Sequence, residues 1–447
     1  MTLRLTVLGT GYLGITHAAC LAAAGFEVLG VDIDTAKVKQ LNAGELPIYE
    51  PGLAPLLRAG LDAGRLSFTT SYPEAAAFGD VHFICAGTPP QPGSDHADQA
   101  QVHACVAALA PLLTRPCLVA GKSTVPPGTA RRLAALLTAA APGAELAWNP
   151  EFVREGTAVA DCLAPDRIVA GVCSQRAEDL LREVYAGQIR AGTPFFVTGL
   201  ETAELAKLAA NSFLATKISF INAMGELCEA AGGNVRALAE ILGADERIGA
   251  AFLRPGLGFG GGCLPKDVRA FTAWAAGLPG EPLGFLREVD AINLRRRARA
   301  ADLAAELAGG SLAGVRVSVL GAAFKPGSDD VRDSPALEVA QLLHGARAEV
   351  TVYDPEALDN ARQACPELRF ASSAVAAARN AQVVMLLTEW PELVSLTPAA
   401  LDAVVARRAI VDGRNVLDPA QWRAAGWQYR APGVAPEPVP VPDRGPA

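Results

Sequence analysis

Residues 256–267 read GLGFGGGCLPKD and deliver one thiol, Cys263, from a glycine-rich turn into what the pattern predicts is the start of a helix. Pro265 suits the first helical turn, where its missing N–H costs nothing. The partial positive charge of a helix N-terminus favours a thiolate there. Asp267, four positions on, falls on the same helical face as the cysteine. The glycines remove side chains, so a ligand backbone or sugar can approach the sulfur closely. These features describe a nucleophilic cysteine rather than a buried inert one. Two more pairs could do chemistry. Glu151 and Glu155 stand four apart beside an NPEF turn, and Lys207 and Asn211 share one face of a helix, a turn apart. Spacing alone makes Lys207 a surface lysine whose stem covers apolar neighbours.

The elements that position these groups follow an α/β rhythm. Residues 3–8, LRLTVL, form a strand-like run that leads into Gly9, Gly11, Tyr12 and Gly14 and then an alanine-rich helical pattern. A second strand over 27–31 ends at Asp32. This is the dinucleotide fingerprint in full context: strand, GxGxxG, helix, strand, acidic residue. Asp32 is placed to accept hydrogen bonds from the adenosine ribose and to repel a 2′-phosphate, which favours NAD over NADP, with Lys37 at the same ribose edge. Later strands end in the loops GTPP (87–90), KSTVPPG (122–128) and NPEFVREG (149–156), at the carboxyl edge where such sheets bind ligands.

Thr198 and Glu201 have the spacing of a capping box and open a long helix running to about 232. Its apolar stripe has helical period, and its length suits a bridge between two α/β halves and a dimer surface. Residues 285–308 form another helical stretch, whose Arg295, Arg296 and Arg297 are expected on a solvated face. A second α/β unit begins near 315 without a glycine fingerprint, so it should hold something other than NAD. Proline-rich residues 432–447 are expected to be disordered.

Composition narrows the class. At 447 residues two or three domains are expected. A formal charge of −8 argues against nucleic acid as a partner. No apolar run suits a membrane span, and the first residues lack the layout of a signal peptide. Nine cysteines without CxxC pairs suggest reduced cytoplasmic thiols rather than disulfides or metal ligands. No metal is expected.

The motifs GTGYLG, GTPP, KSTVPPGT, NPEFVREG, ELAKLAANSFLATKISFINAMGELCE, DERIG, GFGGGCLPKD, FKPGSDDVRDSPA and DGRNVLD occur in this order from residue 3 to about 430. Together they resemble the UDP-glucose/GDP-mannose dehydrogenase family. The resemblance implies two Rossmann-like parallel-sheet domains joined by a long central helix and a helical middle domain. Its boundaries would be 1–198 for NAD, 199–310 for dimerisation and the catalytic cysteine, and 311–431 for the UDP-sugar, with 432–447 as tail. It implies a four-electron oxidation of the sugar C6 alcohol to a carboxylate with two NAD, through a thiohemiacetal and a thioester on Cys263. Lys207 and Asn211 would stabilise the oxyanion, and Asp267 with Thr124 and a water would move protons. Glu151 and Glu155 are candidates for activating the hydrolytic water. Cofactor contacts map to Gly9, Gly11, Tyr12, Gly14, Asp32, Lys37, Thr88, Thr124, Glu155, Lys266 and Arg332. Substrate contacts map to Glu151, Phe152, Val153, Arg154 and Glu155, to Lys207 and Asn211, and to Phe252, Leu253, Arg254, Pro255, Gly256 and Gly260. Lys325 and Arg414 complete that set, and Arg247 would reach the neighbouring subunit of a homodimer. Gly262 stands where the family often has serine. The UDP-glucose branch fits best. Alternatives are the same chemistry on GDP-mannose or a UDP-N-acetylhexosamine, a two-electron dehydrogenase of the 6-phosphogluconate type, or a silent NAD-binding regulator.

Overall fold

The computed structural model of the chain describes residues 3–435. They divide into two compact units, Met1–Ser212 with Lys266–Gly284, and Phe213–Pro265 with the chain from Phe285 onward. The long helix Leu200–Ala231 gives its first turns to one unit and the rest to the other.

In the first unit β1 (Arg4–Leu8), β2 (Glu27–Val31), β3 (Leu66–Thr69), β4 (Val81–Ile84), β5 (Cys117–Gly121) and β6 (Ala144–Trp148) take the order β3-β2-β1-β4-β5-β6. Strands β7 (Ile168–Gly171) and β8 (Phe195–Thr198) extend the far edge. All pairs are parallel except β6 with β7, which meet antiparallel at Trp148 and Gly171. The strands are mostly apolar because both faces of the sheet are covered. Leu5 and Val7 of β1 point into one core with the helix Tyr12–Ala23, whereas Leu8 points into the other with the helices Ala100–Leu109 and Thr129–Ala140. Full burial of each such side chain contributes about 1.5–3 kcal/mol. Strand order reverses between β1 and β4, so the crevice at their carboxyl ends is the switch point where ligands bind in doubly wound sheets.

The second unit repeats the plan. Strands β9 (Arg316–Leu320), β10 (Glu349–Tyr353), β11 (Arg369–Phe370), β12 (Val383–Leu386), β13 (Ala409–Asp412) and β14 (Gln428–Arg430) run parallel in the order β11-β10-β9-β12-β13-β14. Asp354 follows β10 as Asp32 follows β2. Its carboxylate, however, accepts from the backbone N–H groups of Ala322, Ala323, Glu356 and Ala357 and from Trp390 Nε1, at 2.7–3.0 Å. A carboxylate has about four acceptor sites, so this one has none to spare for a ribose. The two parallel Rossmann-like sheets, with helical chain between them in sequence, match the expected fold class.

Three local expectations change. The arginine run is not a solvated face: Arg295 pairs with Glu226 at 2.9 Å, but Arg296 and Arg297 are each 1% exposed. Arg297 ties Phe259 O, Asp333 and Glu338 together. The helix Phe285–Ala308 is covered on that side, and carboxylates from other elements compensate the buried charge. The capping box is not centred on Thr198, because the helix begins at Leu200 and Gly199 is the residue before it, while Glu201 accepts from Arg131 Nε at 2.5 Å. Of the proline-rich tail, Gly433 and Val434 lie against the helical layer: Gly433 O accepts from Val235 N at 3.0 Å, Gly433 N donates to Glu229 at 2.6 Å, and Val434 bridges Asn234. Residues 436–447 fall outside the described residues.

Candidate active site

The dinucleotide end of the first unit is built from backbone. Gly9 has φ +91° because its carbonyl turns the chain from β1 into the helix Tyr12–Ala23. A Cβ on Gly14 would lie 1.8 Å from Gly9 O, so helix and turn touch without room for a side chain. A Cβ on Gly11, by contrast, would meet no protein atom within 4 Å. That open space sits at the helix N-terminus, whose first turn holds no acidic residue, and it fits the pyrophosphate of a dinucleotide. Asp32 Oδ2 accepts from Thr10 N (3.0 Å), Thr10 Oγ1 (2.7 Å) and Lys37 Nζ (3.1 Å), while Oδ1 accepts from Asp34 N (3.0 Å). Burial opposes the charge on Asp32, but these donors outweigh it and hold the carboxyl below the usual range. Tyr12 contributes its hydroxyl, which accepts from Gly156 N at 3.0 Å.

The reacting groups assigned to this unit come together in two hydrogen-bonded sets. Lys207 Nζ pairs with Glu151 Oε1 at 2.9 Å, and Glu151 Oε2 accepts from Val153 N at 2.5 Å. Asn211 Nδ2 donates to Asp267 Oδ2 at 2.7 Å, and Lys266 Nζ pairs with Asp267 Oδ1 at 2.5 Å. Lys266 also reaches Thr88 Oγ1 at 3.4 Å, whose hydroxyl donates to Thr124 O at 2.9 Å. Lys207 is 5% exposed and Asp267 1%, so Lys207 is no surface lysine. The reason lies in the helix periodicity. Leu200, Glu204, Lys207, Leu208 and Asn211 fall on one face, and that face is buried. Phe152 is flanked by Arg167, whose guanidinium carbon stands 3.8 Å from the ring centroid. Arg154, assigned to substrate, is bound by Asp161 through Nη2 (2.5 Å) and Nε (2.9 Å). Glu155 is half-buried next to it.

In the second unit Cys263 is exposed, belongs to no disulfide and directly precedes the helix Leu264–Ala275. The glycines before it are also required by the unit's own packing. A Cβ would fall 2.1 Å from Asn293 Oδ1 at Gly258 and 2.2 Å from Asp333 O at Gly260. At Gly261 it would lie 2.7 Å from the Phe324 ring, and at Gly262 2.4 Å from the Arg332 guanidinium. Arg332 thus occupies the space that a side chain at 262 would need, and Asp330 holds it at 2.7 Å. Gly256 N donates to Asn222 Oδ1 at 2.9 Å; Leu253 and Pro255 are buried and Arg254 is exposed. Phe252 adopts φ +64°, a left-handed conformation that non-glycine residues seldom take. Arg414 donates to Leu387 O (2.7 Å), Phe324 O (3.1 Å) and Gly258 O (3.3 Å), and so knits the end of β13 to the glycine loop. The Lys325 ammonium stands 5.4 Å from the Phe324 ring. Arg247 is an exposed side chain paired with Asp245 at 2.6 Å.

Three buried charges escaped the sequence reasoning. Glu50 accepts from Gly156 N and Ala158 N, both at 2.7 Å, and so holds the end of the Glu151–Glu155 turn. Glu204 accepts from Gly128 N and Ala130 N, both at 2.6 Å, at the start of the helix Thr129–Ala140; burial raises its carboxyl above the usual value. Lys122 is buried behind the NPEF turn beside a cavity of about 50 Å³ that His17, Tyr185 and Cys162 also line. The helix period could have found Glu204, which lies on the Lys207 face. Nothing local marks Glu50 or Lys122, whose partners are distant in sequence.

A doubly wound sheet with this fingerprint at its switch point, beside an amine, an amide and a carboxylate, defines a dinucleotide-dependent oxidoreductase by class. Comparison with known families sharpens this: the NAD binding domain of the UDP-glucose/GDP-mannose dehydrogenase family matches residues 3–189, its central domain 201–295 and its UDP binding domain 318–419. The chain belongs to that family. It is 39% identical over 435 residues to a UDP-glucose 6-dehydrogenase of Rhizobium meliloti, covering 96% of this chain and 99% of the relative. Among solved structures it resembles a UDP-glucose dehydrogenase from Pyrobaculum islandicum, with TM-score 0.89, 39% identity and 98% of each chain covered. A UDP-D-ManNAc dehydrogenase from Pyrococcus horikoshii is similar at TM-score 0.84 and 29% identity, over 96% of this chain and 99% of that one. No helix among the described residues is long and apolar enough to cross a membrane.

Proposed function

We propose that the chain oxidises UDP-glucose to UDP-glucuronate in four electrons, with Cys263 carrying the sugar between the two oxidations. The observation that carries this reading is that Lys266 and Asp267, in the first turn of the helix that Cys263 immediately precedes, form one linked set with Asn211 of the long helix. Bound NAD, two molecules per sugar, supplies the hydride acceptor at both oxidations, held at Gly9, Gly11, Gly14 and Asp32. C6 first loses a hydride and its hydroxyl proton to become an aldehyde; Asp267, with Thr124 and a water, takes the proton. The Cys263 thiolate adds to the carbonyl carbon. Lys207 and Asn211 donate to the oxygen that becomes negative in this step. The resulting tetrahedral carbon can lose a second hydride, which a planar aldehyde cannot do without first gaining a nucleophile. Loss of that hydride from the oxyanion leaves a thioester. Water, deprotonated by Glu151 or Glu155, adds to it, and the thiolate departs, leaving the carboxylate.

Cations for the substrate diphosphate would come from Lys325, Arg254 and Arg247. Arg247, on an exposed loop, would serve the site of a second subunit, so the working form would be a homodimer. The setting would be cytoplasmic, in keeping with nine thiols outside disulfides. The domain limits would be those of the sequence reading, 1–198, 199–310 and 311–431. The test is stoichiometric. NADH formed per UDP-glucose consumed should be two; a value of one would assign a simple two-electron dehydrogenase, and a better rate with GDP-mannose would move the substrate to that branch.

A further inference from the structure

Lys122 is a cation that the proposed chemistry does not use, yet it is 5% exposed and fully engaged. It follows β5, and Asn149 follows β6; Gly121 and Trp148 are opposite one another in the parallel register. Lys122 Nζ donates to Asn149 Oδ1 (3.0 Å) and Tyr185 Oη (3.1 Å) and lies 3.4 Å from Asn149 O. Tyr185 Oη donates to the same Asn149 Oδ1 at 2.6 Å. The remaining polar groups of Asn149 are also held: Nδ2 donates to Val169 O and N to Gly121 O, both at 2.8 Å. The Phe83 and Tyr185 rings flank the ammonium at 5.7 Å, a favourable setting for a cation without a carboxylate in contact.

Asn149 is therefore fixed at each polar atom, and only Pro150 separates it from Glu151. Proline removes one backbone torsion from that link. The Glu151 carboxylate thus inherits its place from Lys122 on one side and from the Lys207 pair on the other. A methylene stem of the same length would fill the space without the donors. Burying a charge merely to hold a fold is a poor bargain, since apolar replacements of buried ions are often neutral in stability. Holding a reacting carboxylate in register is a better reason for it.

We propose that Lys122 is a positioning residue for the hydrolytic step, acting through Asn149 to hold Glu151 where water attacks the thioester. This rests on the four-electron reading given above. The test uses Lys122→Met, with Tyr185→Phe as a milder second variant that keeps the ring and removes one hydroxyl. NADH formation is followed from the first turnover, and intact protein mass is taken under turnover with UDP-glucose and NAD. Displacing a reacting group by about 1 Å can cost ~100-fold in rate. Lys122→Met should therefore give a burst of two NADH per active site and then a steady rate lower by ~10–100-fold, with a sugar-nucleotide adduct on Cys263 in the mass spectrum. Tyr185→Phe should shift the same way by a smaller factor, and KM for both substrates should fall in step with kcat, because the slowed step follows covalent capture and leaves kcat/KM unchanged. A purely structural lysine would lower stability and scale down burst and steady phases together, without adduct. That outcome in both variants overturns the proposal while two NADH per sugar from the unaltered enzyme leaves the four-electron reading standing. One NADH per sugar from the unaltered enzyme overturns both.

Discussion

Gly11 and Gly14 belong to one fingerprint, yet the structure separates their roles sharply enough to predict opposite phenotypes. Gly14→Ala places a Cβ 1.8 Å from Gly9 O and 2.9 Å from Gly9 C, both backbone atoms that cannot swing aside. Overpacking of this kind costs about 1–3 kcal/mol. At ~2–4 °C per kcal/mol for a unit of this size, the melting temperature should fall by ~2–12 °C even without cofactor. Gly11→Ala meets no protein atom within 4 Å, and φ −73°, ψ −168° is extended backbone open to alanine. Gly-to-Ala at a compatible conformation stabilises by about 0.4–1 kcal/mol through the unfolded chain. Its melting temperature should hold or rise slightly. The new methyl would instead stand in the space assigned to the pyrophosphate. A penalty of only ~1.4 kcal/mol there raises the NAD KM about tenfold. Thermal melts of the cofactor-free variants, paired with NADH formation at varied NAD and saturating UDP-glucose, separate the two effects. Unaltered NAD affinity in Gly11→Ala, or a melting temperature below that of Gly14→Ala, would refute the assignment of that open space to the cofactor.

Cys263→Ser should form NADH for a single oxidation at most and then stall; steady production at the unaltered rate would remove the covalent step. Burial, reinforced by Arg115, depresses the His82 imidazole from 6.5 to about 4. The unfolded chain therefore binds this proton first as pH falls. Stability is fully present above pH 6.5 and declines toward pH 4, by ~3 kcal/mol at about 1.4 kcal/mol per unit. Urea midpoints across that window should show the slope, and His82→Val should flatten it by about one proton whatever its absolute stability. Glu50→Ala leaves Ala158 N without its acceptor, which costs about 1–3 kcal/mol for a buried group left unpaired, and leaves Gly156 N with the Tyr12 hydroxyl alone. It should lower both the melting temperature and kcat; an unchanged kcat would mean that the Glu151–Glu155 turn keeps its shape by other means.

The strands and the dinucleotide turn were legible because their signals are local. Apolar runs of five residues such as RLTVL and EVTVY can be buried on two faces only in a covered sheet, and GTGYLG states its own geometry. Charged groups were read less well. Lys207 looked solvated because a lysine's usual partner is water, and nothing nearby in sequence announces Glu151, fifty-six positions earlier. Arg296 and Arg297 misled for the same reason, since Glu226, Asp333 and Glu338 come from other elements. The packing of Asn293, Asp333, Phe324 and Arg332 against the glycines before Cys263 was not legible either, because those partners come from other elements.

Sequence by itself determined the α/β class, the two repeats of strand and helix, the dinucleotide turn with Asp32, and the thiol at a helix start. Each depends on residues within one or two turns of one another, where periodicity and backbone sterics act directly. Only the tertiary structure decided which charges are buried, which carboxylate faces which amine, and that Glu50, Glu204 and Lys122 hold the loops at the carboxyl edge of the first sheet. Those are pairings across 70 to 110 residues in the case of the two glutamates, and across 27 in that of Lys122. Coulomb and hydrogen-bond energies depend on distance in space, which a linear pattern does not contain until the chain has closed on itself.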